Sequence, residues 1–452
     1  MQSVVNNEEI SPELTIPDEL LPIKDDQRKI GKLAYMSMWL GDGFNIGNIT
    51  VGSSIVVAGV ATMNLLQTVV AAAIAIAIVS LIFALNDRFG YETGVPYVMQ
   101  LRLSFGKNGA KFSSLFRGVP SLVWFGFQSW TGALALNEIA KIITNNGFNN
   151  VAICFTFLMI VQLILSIRGF KFIKNITSVV SVIMMVSLLS LFIILLVNHG
   201  SAISQTLVQS KGSWGIQFFG FIVAFLGNYT AIFESAADYS RELKPGISNC
   251  KRGFLYFLPI GFSYGITLLT GAMLSAVTGI ASPVDAMSHI FNNHVIMLLV
   301  SLFIVLGVIT TNAVANITPT TYVLTSLLKL PRKLSLVLVT GLAVFTCPWL
   351  LVGDSSSQGL TIFIHSYAIF LGPLTAIILI EYYIVRKRKV DLDQLYRDDI
   401  RKINWKAFAA LIAGALFALT QIELSWLIGF AVSAVVYLTV NKLSKSDTAN
   451  II

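Results

Sequence analysis

The chain has 452 residues, of which 55% are hydrophobic and 12% are charged, and its mean hydropathy is +0.76. So few charged residues cannot cover so much apolar surface in water, which excludes a soluble enzyme, a disordered chain and a disulfide scaffold. The composition therefore predicts an all-α polytopic membrane protein embedded in a lipid bilayer. Basic membrane loops account for the net charge of +8, so we do not expect nucleic acid as a partner.

Apolar runs of about 20 residues predict twelve transmembrane segments, numbered here in chain order. They lie near residues 33–57, 61–85, 119–140, 151–167, 176–197, 215–237, 253–279, 293–316, 334–352, 359–385, 407–422 and 424–441. The predicted organisation is an N-terminal tail (1–30), five segments (31–200), five more segments (201–390), a loop with the last two segments (391–442) and a C-terminal tail (443–452).

The basic residues predict the orientation. If both termini are cytoplasmic, every Lys and Arg except Lys141 and Lys211 falls on the cytoplasmic side, as the positive-inside rule requires. We therefore expect a multi-pass protein of the cell membrane with both termini inside. The same placement leaves no Lys or Arg for the middle of a segment, which predicts a substrate that is neutral or that meets a helix terminus.

Segments 1 and 6 contain residues that interrupt helices. Segment 1 reads WLGDGFNIG over residues 39–47, and segment 6 reads FLGNYT over residues 225–230. Gly and Asn tolerate non-helical backbone, which a membrane accommodates where it lines a cavity. Asn45 and Tyr229 are 184 residues apart, and Trp124 and Thr311 are 187 apart, so the offsets predict two five-segment repeats of opposite orientation. Alternatively, the glycines permit close helix packing.

Several runs, in this order, resemble one transporter family. They are WFGFQ (124–128) with Trp130, Gly132–Leu136 and Glu138; DYSR (238–241); TTNAVAN (310–316); and LGPL (371–374) followed by RKRK (386–389) and Leu395–Tyr396. They resemble the nucleobase–cation symporter-1 family of cytosine, purine, uracil, thiamine and allantoin permeases, and most of all its bacterial hydantoin transporters. This resemblance implies a LeuT-type fold of two inverted five-helix repeats with helices 1 and 6 broken, plus two further helices.

Trp124 and Gln128 are four residues apart and so share one helix face. An indole ring stacks on flat heterocycles, and a carboxamide pairs with the amide edge of a ring such as uracil, hydantoin or allantoin. The resemblance implies a substrate site that contains these two residues together with Asn45, Asn228, Tyr229, Asn316 and Ile364. Asn45, Tyr229 and Ile364 stand where the hydantoin transporters have Gln, Trp and Leu, which leaves the ring itself open.

Gly307, Thr310 and Thr311 form one stripe of a helix, and two hydroxyl groups there suit a small cation. The resemblance implies a sodium ion that is held by the carbonyl groups of Gly41, Phe44 and Gly307 and by the hydroxyl groups of Thr310 and Thr311. Alternatively, these threonines hydrogen-bond to their own helix.

Three acidic residues add further possibilities. Asp42 lies inside segment 1, where it could neutralise the cation, carry a proton, pair with an amine substrate or cap a half-helix. Glu234 and Asp238, at the end of segment 6, are expected to pair with Arg241 or a neighbour in a gate or a structural network.

The sequence as a whole predicts a sodium-coupled symporter that imports a small planar heterocycle by alternating access. A proton-coupled symporter of the same substrates and an amine or amino-acid symporter of the same fold are the alternatives. The sequence contains no metalloprotease motif, nucleophile elbow or P-loop, so we expect neither an enzyme nor a cofactor other than the coupling ion.

Overall fold

The computed structural model describes residues 16–57, 60–168, 170–291, 293–351, 356–397 and 400–449. Within them the chain forms eighteen α-helices and one short antiparallel hairpin, β1 (Val56–Val57) with β2 (Val60–Ala61). The helices of the first half are α1 (Lys32–Gly43), α2 (Ile46–Ser53), α3 (Leu65–Thr93), α4 (Tyr97–Phe105), α5 (Lys107–Ile143), α6 (Val151–Ile167) and α7 (Phe170–Ile203).

The second half continues the helical pattern. Its helices are α8 (Ile216–Glu234), α9 (Ala236–Ser240), α10 (Asn249–Thr278), α11 (Pro283–Ile290), α12 (His294–Thr311), α13 (Thr318–Leu328), α14 (Arg332–Phe345), α15 (Ser356–Ile380), α16 (Leu392–Tyr396), α17 (Trp405–Ala418) and α18 (Ser425–Ala449). Short π-helical stretches at 204–208, 312–317 and 381–385 extend α7, α12 and α15. The stretch at 312–317 joins α12 to α13 without a break in helical backbone.

A helix or a helix pair lies over each of the twelve predicted segments. In the part of the chain that the structure describes, seven helices are long and apolar enough to cross a membrane by themselves. They lie at Leu65–Thr93, Val182–Val208, Ile216–Glu234, Asn249–Thr278, His294–Leu328, Ile362–Val385 and Ile422–Leu443. The protein is thus a helical membrane protein with several spans, whereas the number twelve stays a prediction.

Both ends of α3 are defined by capping residues. Asn64 and Gln67 exchange side-chain and backbone hydrogen bonds at the start of α3. The same helix ends at Gly94, whose φ of +70° is the left-handed conformation that glycine adopts without a steric cost.

A buried ion pair joins α3 to α10. Arg252 donates from Nε to Asp87 Oδ2 at 2.8 Å and from Nη2 to Asp87 Oδ1 at 3.1 Å, and both side chains are fully buried. Tyr256 also donates to Asp87 at 3.0 Å, and its hydroxyl lies 2.8 Å from that of Tyr35 in α1. This network therefore fixes α1, α3 and α10 relative to one another.

The second half of the predicted N-terminal tail is packed against the helices. Leu20 is 3% exposed, and its carbonyl oxygen accepts a hydrogen bond from Tyr396 at 2.6 Å. Ile23 donates to the Gly94 carbonyl, and Ile30 pairs with the chain at Leu243. Residues 16–30 are therefore held against the helices, while residues 1–15 lie outside the described part, and the bounds of the predicted tail stay a prediction. At the other terminus, α18 continues into the predicted C-terminal tail as far as Ala449.

Candidate functional site

Segment 1 is interrupted where its sequence predicted. Helix α1 ends at Gly43, Phe44 and Asn45 leave the helical conformation, and α2 starts at Ile46. Asn45 is the N-cap of α2, since its side chain accepts a hydrogen bond from the Asn48 backbone N–H at 3.0 Å. The interruption frees the Gly43 carbonyl, which accepts a hydrogen bond from the Asn48 amide at 2.8 Å. Polar side chains therefore hydrogen-bond to the backbone groups that the break leaves without helical partners, as is necessary inside a membrane.

Segment 6 is not interrupted where its sequence predicted. Helix α8 runs through residues 225–230 and ends at Glu234, and the interruption falls at Ser235 (φ −93°, ψ 27°). Gly227 serves close packing instead, because a Cβ there would lie 2.7 Å from a side-chain carbon of Ile364. A lone glycine costs a helix about 1 kcal/mol, too little to break one that is packed on its neighbours.

A small cavity lies beside the interruption of segment 1. It has a volume of about 20 Å³, which is room for one or two water molecules. None of its described lining residues carries a formal charge. They are Asn45, Asn48, Trp124, Gln128, Asn228, Tyr229, Ala231, Ile232, Thr311, Ala315 and Asn316.

Trp124 and Gln128 both line this cavity from α5, as their spacing predicted. The indole N–H of Trp124 donates to the Tyr367 hydroxyl at 3.2 Å, and that hydroxyl donates to the Gly227 carbonyl at 2.9 Å. Gln128 Oε1 is buried and finds no hydrogen-bond partner among the described residues. The indole ring is thus anchored, whereas the carboxamide keeps a free acceptor.

Carboxamides make up most of the remaining polar lining. The Asn228 amide donates to Asn48 Oδ1, and the Asn316 amide donates to Asn312 Oδ1 at 2.8 Å. The Tyr229 hydroxyl is buried without a hydrogen-bond partner in the described chain. Sequence reasoning missed Asn48, although its position three residues after Asn45 at a helix start is a capping signal that could have found it.

Most of the predicted substrate residues come together in the structure. Asn45, Trp124, Gln128, Asn228, Tyr229 and Asn316 all line the cavity. Ile364 is not among the lining residues; it packs against Gly227 of α8. Their contact with a substrate stays a prediction.

The predicted cation site lies where the interruption of segment 1 approaches α12. A Cβ on Gly307 would lie 3.3 Å from the Phe44 carbonyl oxygen, so the end of α1 closely approaches α12. Gly41 is buried in the last turn of α1. Thr311 Oγ1 is buried, and no described residue hydrogen-bonds to it. Backbone carbonyls and an unpartnered hydroxyl are the oxygen ligands that a small hard cation requires.

Thr310 bonds to its own helix, as the alternative interpretation held. Its hydroxyl lies 3.0 Å from the Leu306 carbonyl, 3.1 Å from the Gly307 carbonyl and 3.9 Å from the Met184 sulfur. A hydroxyl that donates to a carbonyl still keeps two lone pairs, so this contact is compatible with a cation ligand. The Phe44 carbonyl and the Thr310 and Thr311 hydroxyls are oxygen donors of the kind that sodium takes, and the ion itself stays a prediction.

The sequence matches the family of permeases for cytosine/purines, uracil, thiamine and allantoin over residues 22–441. The chain belongs to this family. It is therefore a transporter and not an enzyme. It is 24% identical to the hydantoin permease of Microbacterium maritypicum, with 92% of this chain and 87% of the relative covered. It is also 24% identical to the allantoin permease of Bacillus subtilis, with 94% and 93% covered.

Solved structures show the same fold. The nucleobase–cation-symport-1 transporter Mhp1, in a closed conformation with bromovinylhydantoin bound, superposes with a TM-score of 0.85 at 22% identity. The match covers 95% of this chain and 96% of Mhp1. A sodium-coupled sialic acid symporter gives a TM-score of 0.68 at 10% identity, with 96% and 93% covered. The permease thus has the LeuT-like fold that its motifs implied.

Asp42 of this permease is buried next to the cavity without lining it. It is 2% exposed, and neither carboxylate oxygen has a hydrogen-bond partner in the described ranges. The carboxylate faces the Tyr229 hydroxyl, although the two groups do not form a hydrogen bond of normal geometry. Its backbone carbonyl accepts a hydrogen bond from the Asn45 amide. Asp42 does not cap a half-helix, because Asn45 does.

Neither Glu234 nor Asp238 forms an ion pair with Arg241 among the described residues; both bond to other neighbours, and their role in a gate or network stays a prediction. Glu234 accepts a hydrogen bond from the Thr375 hydroxyl, and Asp238 accepts one from the Tyr97 backbone N–H at 2.7 Å. Arg241 instead donates to the backbone carbonyls of residues 19 and 21. The interruption of the helix at 235 separates the two acids, so they do not occupy one face of one helix.

Arg117 lies before the predicted start of segment 3, yet the structure places it in a helix; that no basic residue lies in the middle of a segment stays a prediction. Helix α5 begins at Lys107, not near 119, so Arg117 is a helical residue and is completely buried. It donates from Nη2 to the Ala315 carbonyl at 2.8 Å and from Nε to Ser235 Oγ at 3.0 Å. Since Ala315 lines the cavity, the guanidinium lies directly behind the cavity wall.

Proposed function

We propose that this permease is a symporter that imports a small, planar, uncharged heterocycle, namely a hydantoin, allantoin or a nucleobase such as uracil or cytosine, together with sodium. The supporting observation is the free Gln128 Oε1 beside the anchored indole of Trp124, in a cavity without charged lining residues. A ring N–H would satisfy that oxygen, and the ring face would stack on the indole.

The cavity is smaller than any of these rings, so binding requires the helices around it to move apart. Such a movement is inherent in alternating access, in which one group of helices rocks against another around a central site. The same movement reaches the cation site, because Phe44 and Asn45 are neighbours in the interruption of segment 1. Phe44 approaches Gly307, whereas Asn45 lines the cavity. Binding of one solute therefore favours binding of the other, typically by about 1–3 kcal/mol in each direction.

An amine substrate is the weaker alternative. Its counter-ion would be Asp42, yet that carboxylate is absent from the described cavity lining. The lining instead presents five carboxamides, whose donors and acceptors pair with neutral amide edges.

The proposal is tested by counterflow in proteoliposomes. Radiolabelled hydantoin, allantoin, uracil and cytosine are offered with and without sodium, and amines are added as competitors. We expect one ring to exchange, with a lower half-saturating concentration in sodium. Gln128→Ala should weaken exchange strongly, whereas Gln217→Ala, at the exposed start of α8, should leave it unchanged. Exchange of none of the four rings, or an unaffected Gln128→Ala, contradicts the proposal.

We also propose twelve spans in the cell membrane, with both termini and the surrounding basic residues in the cytoplasm. The positive-inside rule supports this orientation. Cys250 provides a test, because it is exposed at the start of α10 among basic residues. In a Cys347→Ser background, a membrane-impermeant maleimide should label Cys250 in inverted vesicles and not in intact cells. The reverse pattern contradicts the orientation.

A further inference from the structure

Beneath the cavity lies a cluster of buried polar side chains, which we call the acidic chamber: Tyr97, Arg117, Glu234 and Asp238. Tyr97, Arg117 and Glu234 are completely buried, and Asp238 is 3% exposed. They come from four elements, α4, α5, α8 and α9. Buried polar groups normally have a hydrogen-bond partner for every donor and acceptor, so a buried polar atom without a partner needs an explanation.

Each member of the acidic chamber has an atom without a hydrogen-bond partner among the described residues. These atoms are Tyr97 OH, Arg117 Nη1, Glu234 Oε2 and Asp238 Oδ2. The remaining oxygen of each acid is satisfied by a neutral group, the Thr375 hydroxyl for Glu234 and the Tyr97 backbone N–H for Asp238. The two carboxyl groups therefore each lack one donor.

Arg117 does not supply the missing donors. Its bonded nitrogens serve neutral oxygens, Ser235 Oγ and the Ala315 carbonyl, and no described carboxylate lies within ion-pair distance of it. It stands close enough to interact electrostatically with Glu234 and Asp238. One guanidinium thus faces these two buried acids and also Asp42, and an unpaired buried carboxylate is costly. A proton on one of the acids removes its negative charge and with it that cost.

Glu234 is the acid that depends on this proton. Asp238 has a second cation nearby in Arg241, whereas Arg117 is the one charged group that faces Glu234 from the described helices. From α15 it meets the neutral Thr375, and from α4 the Tyr97 hydroxyl.

Some of the other titratable groups on elements around α8 are engaged elsewhere, whereas Glu423, which packs against Gly220 near the opposite end of α8, keeps one buried carboxylate oxygen without a partner in the described chain. Asp87 of α3 is paired with Arg252, and the Tyr239 hydroxyl of α9 donates to the Val314 carbonyl at 3.3 Å. Asp42 of α1, whose carboxylate oxygens have no hydrogen-bond partner in the described chain, faces Tyr229 and also interacts electrostatically with Arg117.

The acidic chamber is connected to the substrate cavity by short links. Ala231 and Ile232, which line the cavity, lie on the last turn of α8 before Glu234. Arg117 bonds to the Ala315 carbonyl in the cavity wall and to Ser235, where segment 6 is interrupted. A change of charge on Glu234 therefore acts, through Arg117, on the wall of the cavity and on the point where segment 6 bends.

We propose that Glu234 is a proton-carrying site, so that a proton crosses the membrane with the substrate, in addition to the cation beside Phe44 and Thr311. The carboxylate takes up a proton when the ring is bound and returns it to water when the acidic chamber opens on the other side. No bond other than the O–H bond forms or breaks. This inference rests on the proposed function, because it needs a transported ring.

The test uses the full-length protein in proteoliposomes that contain a pH-sensitive dye, with equal sodium on both sides. A ring that exchanges in counterflow is added outside. We expect the lumen to become more acidic only when the ring is added. In a second experiment, a pH difference of about one unit, alkaline inside, is imposed. If one proton moves with each ring, the ring should then accumulate about tenfold. Glu234→Gln should keep counterflow and lose both effects.

A matched control separates this role from a structural one. Glu381→Gln changes another buried glutamate, whose oxygens are both paired, with Arg386 and with Tyr437. We compare the ratio of pH-driven accumulation to counterflow, because this ratio does not depend on the amount of folded protein. It should stay at the wild-type value in Glu381→Gln. In Glu234→Gln it should fall towards the value for passive equilibration. Counterflow without ring-dependent acidification in the wild type, or an unchanged ratio in Glu234→Gln, overturns this inference alone. The absence of counterflow for every ring overturns the proposed function, and the inference with it.

Discussion

Gly47 offers the sharpest test of where the substrate binds. It lies in the first turn of α2, and a Cβ there would lie 3.0 Å from Trp124 Cζ3, 3.1 Å from Asn45 Oδ1 and 3.6 Å from Gln128 Nε2. Gly47→Ala therefore places a methyl group between the side chains that we assign to the ring. The two shortest contacts are too tight, so the indole and the Asn45 side chain must shift by a few tenths of an ångström.

Gly47→Ala is expected to weaken ring binding much more than it changes stability. Overpacking of a closed site costs about 1–3 kcal/mol. This cost falls on the complex if the ring occupies the cavity, and it raises the half-saturating ring concentration by about 5- to 150-fold. In the free protein, alanine in place of a helical glycine gains about 1 kcal/mol of helix propensity, which offsets part of the strain.

The assay is equilibrium binding or counterflow of the transported ring, beside thermal unfolding in detergent. Gly265→Ala in α10 is the matched control, since no atom outside its own helix lies within 4 Å of a Cβ there. It should leave ring binding unchanged, and its helix propensity should keep the unfolding temperature at or above the wild-type value. If Gly47→Ala binds the ring like the wild type while its unfolding temperature is unchanged, the ring does not lie against Trp124 and Gln128, and the site has been misplaced.

Three further outcomes are expected. Tyr229→Phe keeps the aromatic face and removes one hydroxyl, so ring affinity should fall by about 2- to 12-fold, and less than in Tyr229→Ala; an equal loss in both variants would contradict a stacking role. Asp87→Asn leaves the Arg252 guanidinium buried without its counter-charge, which should cost about 3–5 kcal/mol of stability. The unfolding temperature in detergent should therefore fall clearly. A change within error would show that the pair is not buried in the native protein. Thr311→Ala should raise the half-saturating sodium concentration several-fold, while Thr340→Ala, which removes a hydroxyl bonded to its own helix in α14, should not; equal sodium dependence in both variants argues against the proposed cation site.

The two interruptions show how far local sequence reaches. In segment 1, glycines flank Asp42 and a capping Asn45 follows, so the signal for a broken helix is dense, and the break falls at Phe44–Asn45. In segment 6 a lone Gly227 is outweighed by its helical neighbours and by the packing of Ile364 against it. The break at Ser235 carries no glycine signal.

Arg117 was expected in a loop before segment 3, but it is a buried helical residue. A run of basic residues before an apolar stretch is typical of a membrane loop, and positive-inside counting treats every such residue alike. Helix α5 nevertheless begins at Lys107, twelve residues before the predicted start of segment 3, and Arg117 is buried within it. Arg117 bonds to Ser235 and to the Ala315 carbonyl, which lie more than a hundred residues away in the chain. No local sequence pattern predicts such hydrogen bonds.

The sequence by itself determined the membrane class, the helical segments, the family and the residues of the cavity on α5, because hydropathy, helical spacing and motif order are local properties. Tertiary structure alone decided which carbonyls and acids are left without partners, where segment 6 bends and that residues 16–30 pack against the bundle. Those properties depend on desolvation and on contacts between distant helices, which do not exist until the chain has folded.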